Sequence, residues 1–184
     1  MEIMRIVVTG PVGAGKSSFI RTISEIEAVD TDRKATDETA ALKAKTTVAM
    51  DFGRLQFGKN VALHLYGTPG QERFDFMWDI LIRKAHAFIL LVSSHRPQDF
   101  RYARRILAFM RYRVKIPMLI GLSHADNPAA WPMEEIILAL GYPSPYNRPP
   151  TVPVNALDSA SVANALAVLI EAYAREQVAE LSRL

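Results

Sequence analysis

Residues 10–17 read "GPVGAGKS". They follow the short apolar run "MRIVVTG" (4–10), which reads as a buried parallel strand, and they open "KSSFIRTISEI" (16–26), which reads as a helix. The pattern G-x-x-x-x-G-K-[ST] between a strand and a helix is a phosphate-binding loop. Gly13 and Gly15 permit backbone conformations that turn successive N–H groups inward toward phosphate oxygens, and the helix N-terminus adds its dipole. The candidate phosphate-binding residues here are Gly13, Ala14, Gly15, Lys16, Ser17 and Ser18. Lys16 is placed to reach β- and γ-phosphates, and the Ser17 hydroxyl can ligate Mg²⁺. The chemistry calls for a nucleoside triphosphate. It leaves open ATP or GTP, and a kinase, a motor or a switch.

Outward from the loop, apolar runs alternate with helical patterns. "TVAMDFGRLQF" (47–57) and "VALHLYG" (61–67) read as a hairpin turning at Gly58-Lys59-Asn60. "ERFDFMWDILIRKA" (72–85) reads as a helix, "HAFILLVSS" (86–94) as a buried strand, and Pro97 opens a further helix. "PMLIGLSH" (117–124) and "TVPVNA" (151–156) are two more strands. Pro132 starts "MEEIILAL", Gly141 stops it, and a last helix begins near Ser159. Residues 27–45 read as an exposed mobile segment, and 142–153, with five of the eleven prolines, as a rigid surface loop. The expected fold is α/β: a doubly wound, mostly parallel six-stranded sheet with one antiparallel edge strand and helices on both faces. Residues 1–184 read as a single domain.

Composition narrows the function classes. The absence of cysteine excludes disulfides, thiol-bound metal and prenyl or palmitoyl anchors. Glu2 excludes myristoylation, and no apolar run is long enough to span a bilayer. A cytoplasmic protein with no direct membrane anchor is expected. A net charge of +3 gives little reason to expect a nucleic-acid partner.

Two further stretches carry a family resemblance. "TVAMDF" (47–52) is similar to the Rab-type "TIGVDF", and "GTPGQERF" (67–74) to "DTAGQERF". With the phosphate loop and the order of elements, nearly the whole chain resembles a Ras-superfamily small GTPase, a P-loop NTPase G domain. The "YGTPGQ" variant looks closest to the prokaryotic MglA-like group. The resemblance implies a GTP/GDP switch that hydrolyses GTP slowly with Mg²⁺. It assigns Thr47, with Thr46 as a shifted alternative, to Mg²⁺ and γ-phosphate, Gly70 to the γ-phosphate, and Gln71, with Lys16, to catalysis. The ordering of residues 27–47 and 67–78 would be the output. The implied partner is a small roadblock/LC7-type regulatory protein. Phe74, Phe76, Met77 and Trp78 cannot all face a core at helical spacing and suggest a partner surface.

Two positions depart from the family. Gly67 stands where it has an aspartate that holds a Mg²⁺-bound water, and Val12 where Ras has glycine. No substitute for the aspartate is nameable from sequence. The base-recognition motif, normally Asn-Lys-x-Asp, reads "SHAD" (123–126). Asp126 keeps the carboxylate that accepts from N1–H and N2–H₂ of guanine. Ser123 and His124 replace the asparagine and lysine. The second base loop is matched by Asn155, Ala156 and Leu157, with Ala156 offering its N–H to guanine O6.

The alternatives are a P-loop nucleotide or metabolite kinase, which leaves Gly70-Gln71 unexplained, and a nucleotide-binding scaffold that does not hydrolyse. The arginines of 98–113 read as a solvated face, and His64, His86 and His95 as structural, with no zinc site.

Overall fold

The structure, a computed structural model, describes residues 2–27, 29–30 and 50–183. Thr46, Thr47 and most of the segment expected to be mobile lie outside the described residues. Seven strands are described: β1 (Glu2–Thr9), β2 (Val29–Asp30), β3 (Asp51–Phe57), β4 (Val61–Gly67), β5 (Ala87–Ser93), β6 (Met118–Ser123) and β7 (Thr151–Val154). Five α-helices accompany them: α1 (Lys16–Ile23), α2 (Asp75–Ile82), α3 (Phe100–Arg113), α4 (Met133–Ala139) and α5 (Ser159–Leu181). The sheet order is β2-β3-β4-β1-β5-β6-β7. The six long strands are those expected, mostly parallel, with β3 antiparallel to β4. The two-residue β2 pairs antiparallel with β3 and adds a short outer strand.

Both faces of the central strands are apolar because both are covered. In β5 all seven residues, AFILLVS, are buried. Alternate side chains enter different cores. Val7, Phe88, Leu90 and Ile120 pack with Trp78 and Ile82 of α2 and Ile106 of α3. Ile6, Val8, Ile89 and Leu91 pack with Phe19 and Ile20 of α1 and Leu166 of α5. A strand covered on both faces reads as a continuous apolar run, which is why β1, β5 and β6 are recognisable in the sequence.

Helix bounds depart from expectation at their ends. Residues 72–74 and 97–99 form single 3-10 turns before α2 and α3 begin. Helix α1 stops at Ile23, where Ser24 turns extended and its hydroxyl accepts from the Arg54 N–H at 3.1 Å. The arginines of α3 are not merely solvated. Arg105 pairs with Glu72 of the 3-10 turn and Arg113 with Asp79 of α2, fastening α3 to both, while Arg111 donates to the Tyr142 hydroxyl.

No described helix is long and apolar enough to cross a membrane. Strand β1 is central, pairing with β4 on one side and β5 on the other. The chain leaves β1 toward α1 on one face and β4 toward α2 on the other, and the loops after β1 and β4 emerge side by side at the carboxyl edge, where ligands bind in open α/β sheets.

The buried sheet sets a stability expectation. Leu90→Ala should cost about 2–5 kcal/mol in urea denaturation, by lost transfer energy and a cavity. Tyr112→Ala, at an 89% exposed position of α3, should stay within about 0.5 kcal/mol.

Candidate functional site

The loop after β1 has the geometry its sequence requires. Gly13 and Gly15 have φ of 79° and 99°, in the left-handed region where a side chain is strained. Gly15 caps α1, so the first-turn N–H groups of Lys16, Ser17 and Ser18 face out of the helix end. The Phe19 N–H donates to the Gly15 carbonyl at 2.8 Å and the Ala14 N–H to the Pro11 carbonyl at 3.2 Å, closing the loop. Lys16 arches back over it. Its Nζ donates to the carbonyls of Gly10 and Pro11, each at 2.7 Å. Burial pushes the Lys16 ammonium down to about 8, and the negative charge of Asp51 opposes that shift.

The turn after β4 is fixed against the same loop. The Thr68 N–H donates to the Val8 carbonyl at 2.9 Å, and its hydroxyl to the Thr9 hydroxyl at 2.9 Å. The indole N–H of Trp78 donates to the Pro69 carbonyl at 2.8 Å, and the ring packs edge-on against Phe109. A Cβ at Gly70 would lie 2.7 Å from the Val12 nitrogen and 2.9 Å from Lys16 Nζ, so only glycine permits this approach. A cleft of about 310 Å³ results, walled by Gly13, Lys16, Ser17, Asp51, Gly70 and Gln71 among others. Gln71 stands exposed at its rim, as does Val12.

Mg²⁺ is the ion that such a loop implies. The Ser17 hydroxyl faces this cleft and donates to the Asp51 carboxylate. These are hard oxygen donors of the type Mg²⁺ takes, so the residues fit it.

The candidate base site sits beside the loop. The Ser93 hydroxyl donates to the Gly13 carbonyl at 3.2 Å, tying the end of β5 to the phosphate loop. Ser123 is buried at the end of β6, and its hydroxyl lies 3.1 Å from His124 Nδ1. His124 has φ of 56° and its ring lies 4.7 Å from that of His95. Burial and then the neighbouring His95 lower the His124 pKa, and Asp126 opposes them. Asp126 is exposed in the following turn. From β7, the Asn155 side chain accepts from the Leu157 N–H at 3.1 Å, bracing its loop. Thr22 of α1 donates to the Ala156 carbonyl at 2.6 Å, and Ala156 Cβ lies against Gly15. Leu157 is 80% exposed.

The structure thus gathers the phosphate loop, Gly70 and Gln71 at one cleft, with Ser123, His124, Asp126 and Asn155–Leu157 on the adjoining loops. Sequence reasoning missed Trp78 as a brace of the turn, because that contact depends on tertiary proximity. It also missed Asp51, although the hairpin register carried a signal for it. With Phe57 opposite Val61 across the turn, counting back six residues on each strand sets Asp51 opposite Gly67. Of the four crowded apolar residues, Trp78 is buried, Phe74 and Met77 are half-buried, and Phe76 is 52% exposed.

Residues 26–137 match the family described as "Conserved hypothetical ATP binding protein". The chain belongs to that family. It is 30% identical over 135 residues to the zebrafish "Ras and EF-hand domain-containing protein", covering 71% of this chain and 19% of that one. It is 27% identical over 100 residues to mouse "Ras-related protein Rab-12", covering 53% of this chain and 36% of the relative. The chain therefore spans well under half the length of these two relatives. The solved structure of the Arl6 BBS3 small GTPase from Trypanosoma brucei, with bound nucleotide analogue GppNp, superposes with a TM-score of 0.71 at 18% identity. That match covers 94% of this chain and 98% of the other. The chain shares the fold of that small GTPase.

The Lys16 environment has a measurable consequence. Because its folded pKa lies near 8 and the unfolded value is 10.5, the unfolded chain binds more protons between those pH values. The charged form is penalised below pH 8, and that penalty is relieved as pH rises toward 10.5. The stability of the wild type relative to Lys16→Met should therefore rise by on the order of 3 kcal/mol from pH 8 to 10.5. Paired urea titrations of the two proteins check both sign and window.

Proposed function

We propose that this protein is a GTP/GDP switch of the small-GTPase type that hydrolyses GTP slowly. The observation that carries the reading is the convergence of two loops: Gly70 lies against Val12 and Lys16 of the phosphate loop, and Gln71 lines the same cleft. A metabolite kinase has no need of a Gly-Gln turn held against the phosphate loop at that place. In this reading the N–H groups of residues 13–18 and the Lys16 ammonium hold the phosphates. The Gly70 N–H senses the γ-phosphate, and Gln71 orients the attacking water. Ser17 and, by resemblance, Thr47 would hold Mg²⁺, which would supply neutralising charge to the phosphate oxygens. Lys16 exchanges its two carbonyl partners for phosphate oxygens, which costs little because the ammonium is already desolvated and placed.

The base is guanine in this reading, with Asp126 accepting from its N1–H and N2–H₂, Ala156 donating to O6, and His124 beside the ring. The family description names ATP, which makes the choice of base the point to measure. The proposed partner is a roadblock/LC7-type regulatory protein, docking on the turn and on α2, where Phe76 and Ile80 are exposed. An MglA-like role in signalling within the cytoplasm belongs to the same proposal.

Titration with fluorescent GDP, GTP and ATP tests it. GTP and GDP should bind at least about tenfold more tightly than ATP, and Asp126→Ala should erase that margin. Equal affinity for ATP and GTP in the wild type removes the guanine assignment. Single-turnover hydrolysis should slow by about 10–100-fold in Gln71→Ala with binding unchanged. An unaltered rate takes Gln71 out of the mechanism.

A further inference from the structure

Gly67 ends β4 where the resembling family carries a carboxylate, yet the space beside it is filled. The antiparallel register sets Asp51, the first residue of β3, directly opposite Gly67. A Cβ at Gly67 would lie 3.1 Å from Asp51 Cβ, 3.4 Å from Asp51 Oδ2 and 2.9 Å from Ile20 Cδ1. A carboxylate on β4 and the present one on β3 therefore compete for one volume. The Asp51 side chain is 15% exposed and is directed at α1. It accepts the hydrogen bond of the Ser17 hydroxyl, and its other oxygen lies 3.8 Å from the Arg21 guanidinium. Among the described residues it is the one acidic group lining the cleft with Lys16, Ser17 and Gly70.

We propose that Asp51, reaching across from β3, supplies the carboxylate with which this site holds Mg²⁺, in place of the one that Gly67 lacks. The inference rests on the nucleotide-binding reading above. The neutral Ser17 hydroxyl alone gives a divalent cation little charge compensation, whereas a carboxylate in contact with that hydroxyl orients it and brings a full negative charge. The exchange works because neighbouring antiparallel strands present directly opposed side chains on the same face of the sheet. Asp51 opposite a glycine therefore has its own volume and its partner's to occupy. Its charge also faces the Lys16 ammonium, keeping the local balance that a β4 carboxylate would have given.

The test is the affinity of fluorescent GDP in millimolar Mg²⁺ and in excess EDTA, for wild type, Asp51→Asn, Asp51→Ala and the exchange variant Asp51→Ala/Gly67→Asp. Melting curves verify that each is folded. In the wild type, Mg²⁺ should tighten binding. In Asp51→Ala and Asp51→Asn that Mg²⁺-dependent increment should fall about 10–100-fold, with affinity in EDTA nearly unchanged. The exchange variant should recover much of the increment, because the carboxylate returns to the same volume from the other strand. A Mn²⁺ titration followed by electron paramagnetic resonance on the GDP complexes should show the same order of cation affinities.

A merely structural Asp51 predicts something different: binding weakens equally with and without Mg²⁺, and the exchange variant recovers nothing. That result, or an intact Mg²⁺ increment in Asp51→Asn, overturns the inference while leaving nucleotide binding in place. Wild-type protein that binds no nucleotide in either condition overturns the reading of the site, and this inference with it.

Discussion

The parallel pairing of β1 with β4 is the constraint on which the site depends. It brings Val8 and Gly67 into register at the carboxyl edge, so the loops that follow leave from adjacent points. The meeting of the two loops follows from that adjacency. Thr68 reaches the end of β1 with backbone and side chain together, and Gly70 is carried against Val12 and Lys16. The pairing is itself held by the two cores, since side chains from both strands are buried on the α1 and α5 side and Trp78 closes the other. A site made of two loops is thereby fixed by the rigid part of the molecule rather than by the loops themselves.

Trp78 shows how the constraint extends to the turn. It is the buried residue of an otherwise half-exposed apolar group, and its indole N–H bonds the Pro69 carbonyl. A buried indole N–H needs an acceptor, and a proline carbonyl in a turn needs a donor. Each satisfies the other, so the position of α2 and the position of Gly70 are linked. Movement of the turn toward a phosphate would have to move α2 or break this bond. The turn and the packed helix are thereby joined by one local contact and cannot shift independently.

How much of this was legible in the sequence follows from the range of the interactions. The phosphate loop was legible because its chemistry is local: glycines with positive φ, a lysine and a hydroxyl within eight residues, between two elements of opposite periodicity. The buried strands were legible because coverage on both faces leaves uninterrupted apolar runs. The starts of α2 and α3 were not, because 3-10 turns share the composition of a first helical turn. The ion pairs of α3 with α2 and the turn before it were not either, since Arg113 and Asp79, like Arg105 and Glu72, are distant in sequence and meet only after both helices pack on β5. The loops proposed to hold the base were legible as positions, from their place after β6 and β7, but their altered residues state a base preference weakly. The His95–His124 contact joins two such positions and has no sequence signal.

Asp51 lies between these cases. Its partner across the hairpin follows from turn length alone, but its meaning depends on volume. An aspartate opposite a glycine is unremarked in a sheet whose edge faces water. Here the pair lies beneath the first turn of α1, with Ile20 2.9 Å from where a Gly67 Cβ would stand, so the two positions share a single side-chain space. A function that needs one carboxylate at one point can then be met from either strand, but not from both. Reading the two strands separately shows a lost aspartate on one and an ordinary aspartate on the other. Their register turns these into a single displacement, in which the charge stays in the site while its position in the sequence changes.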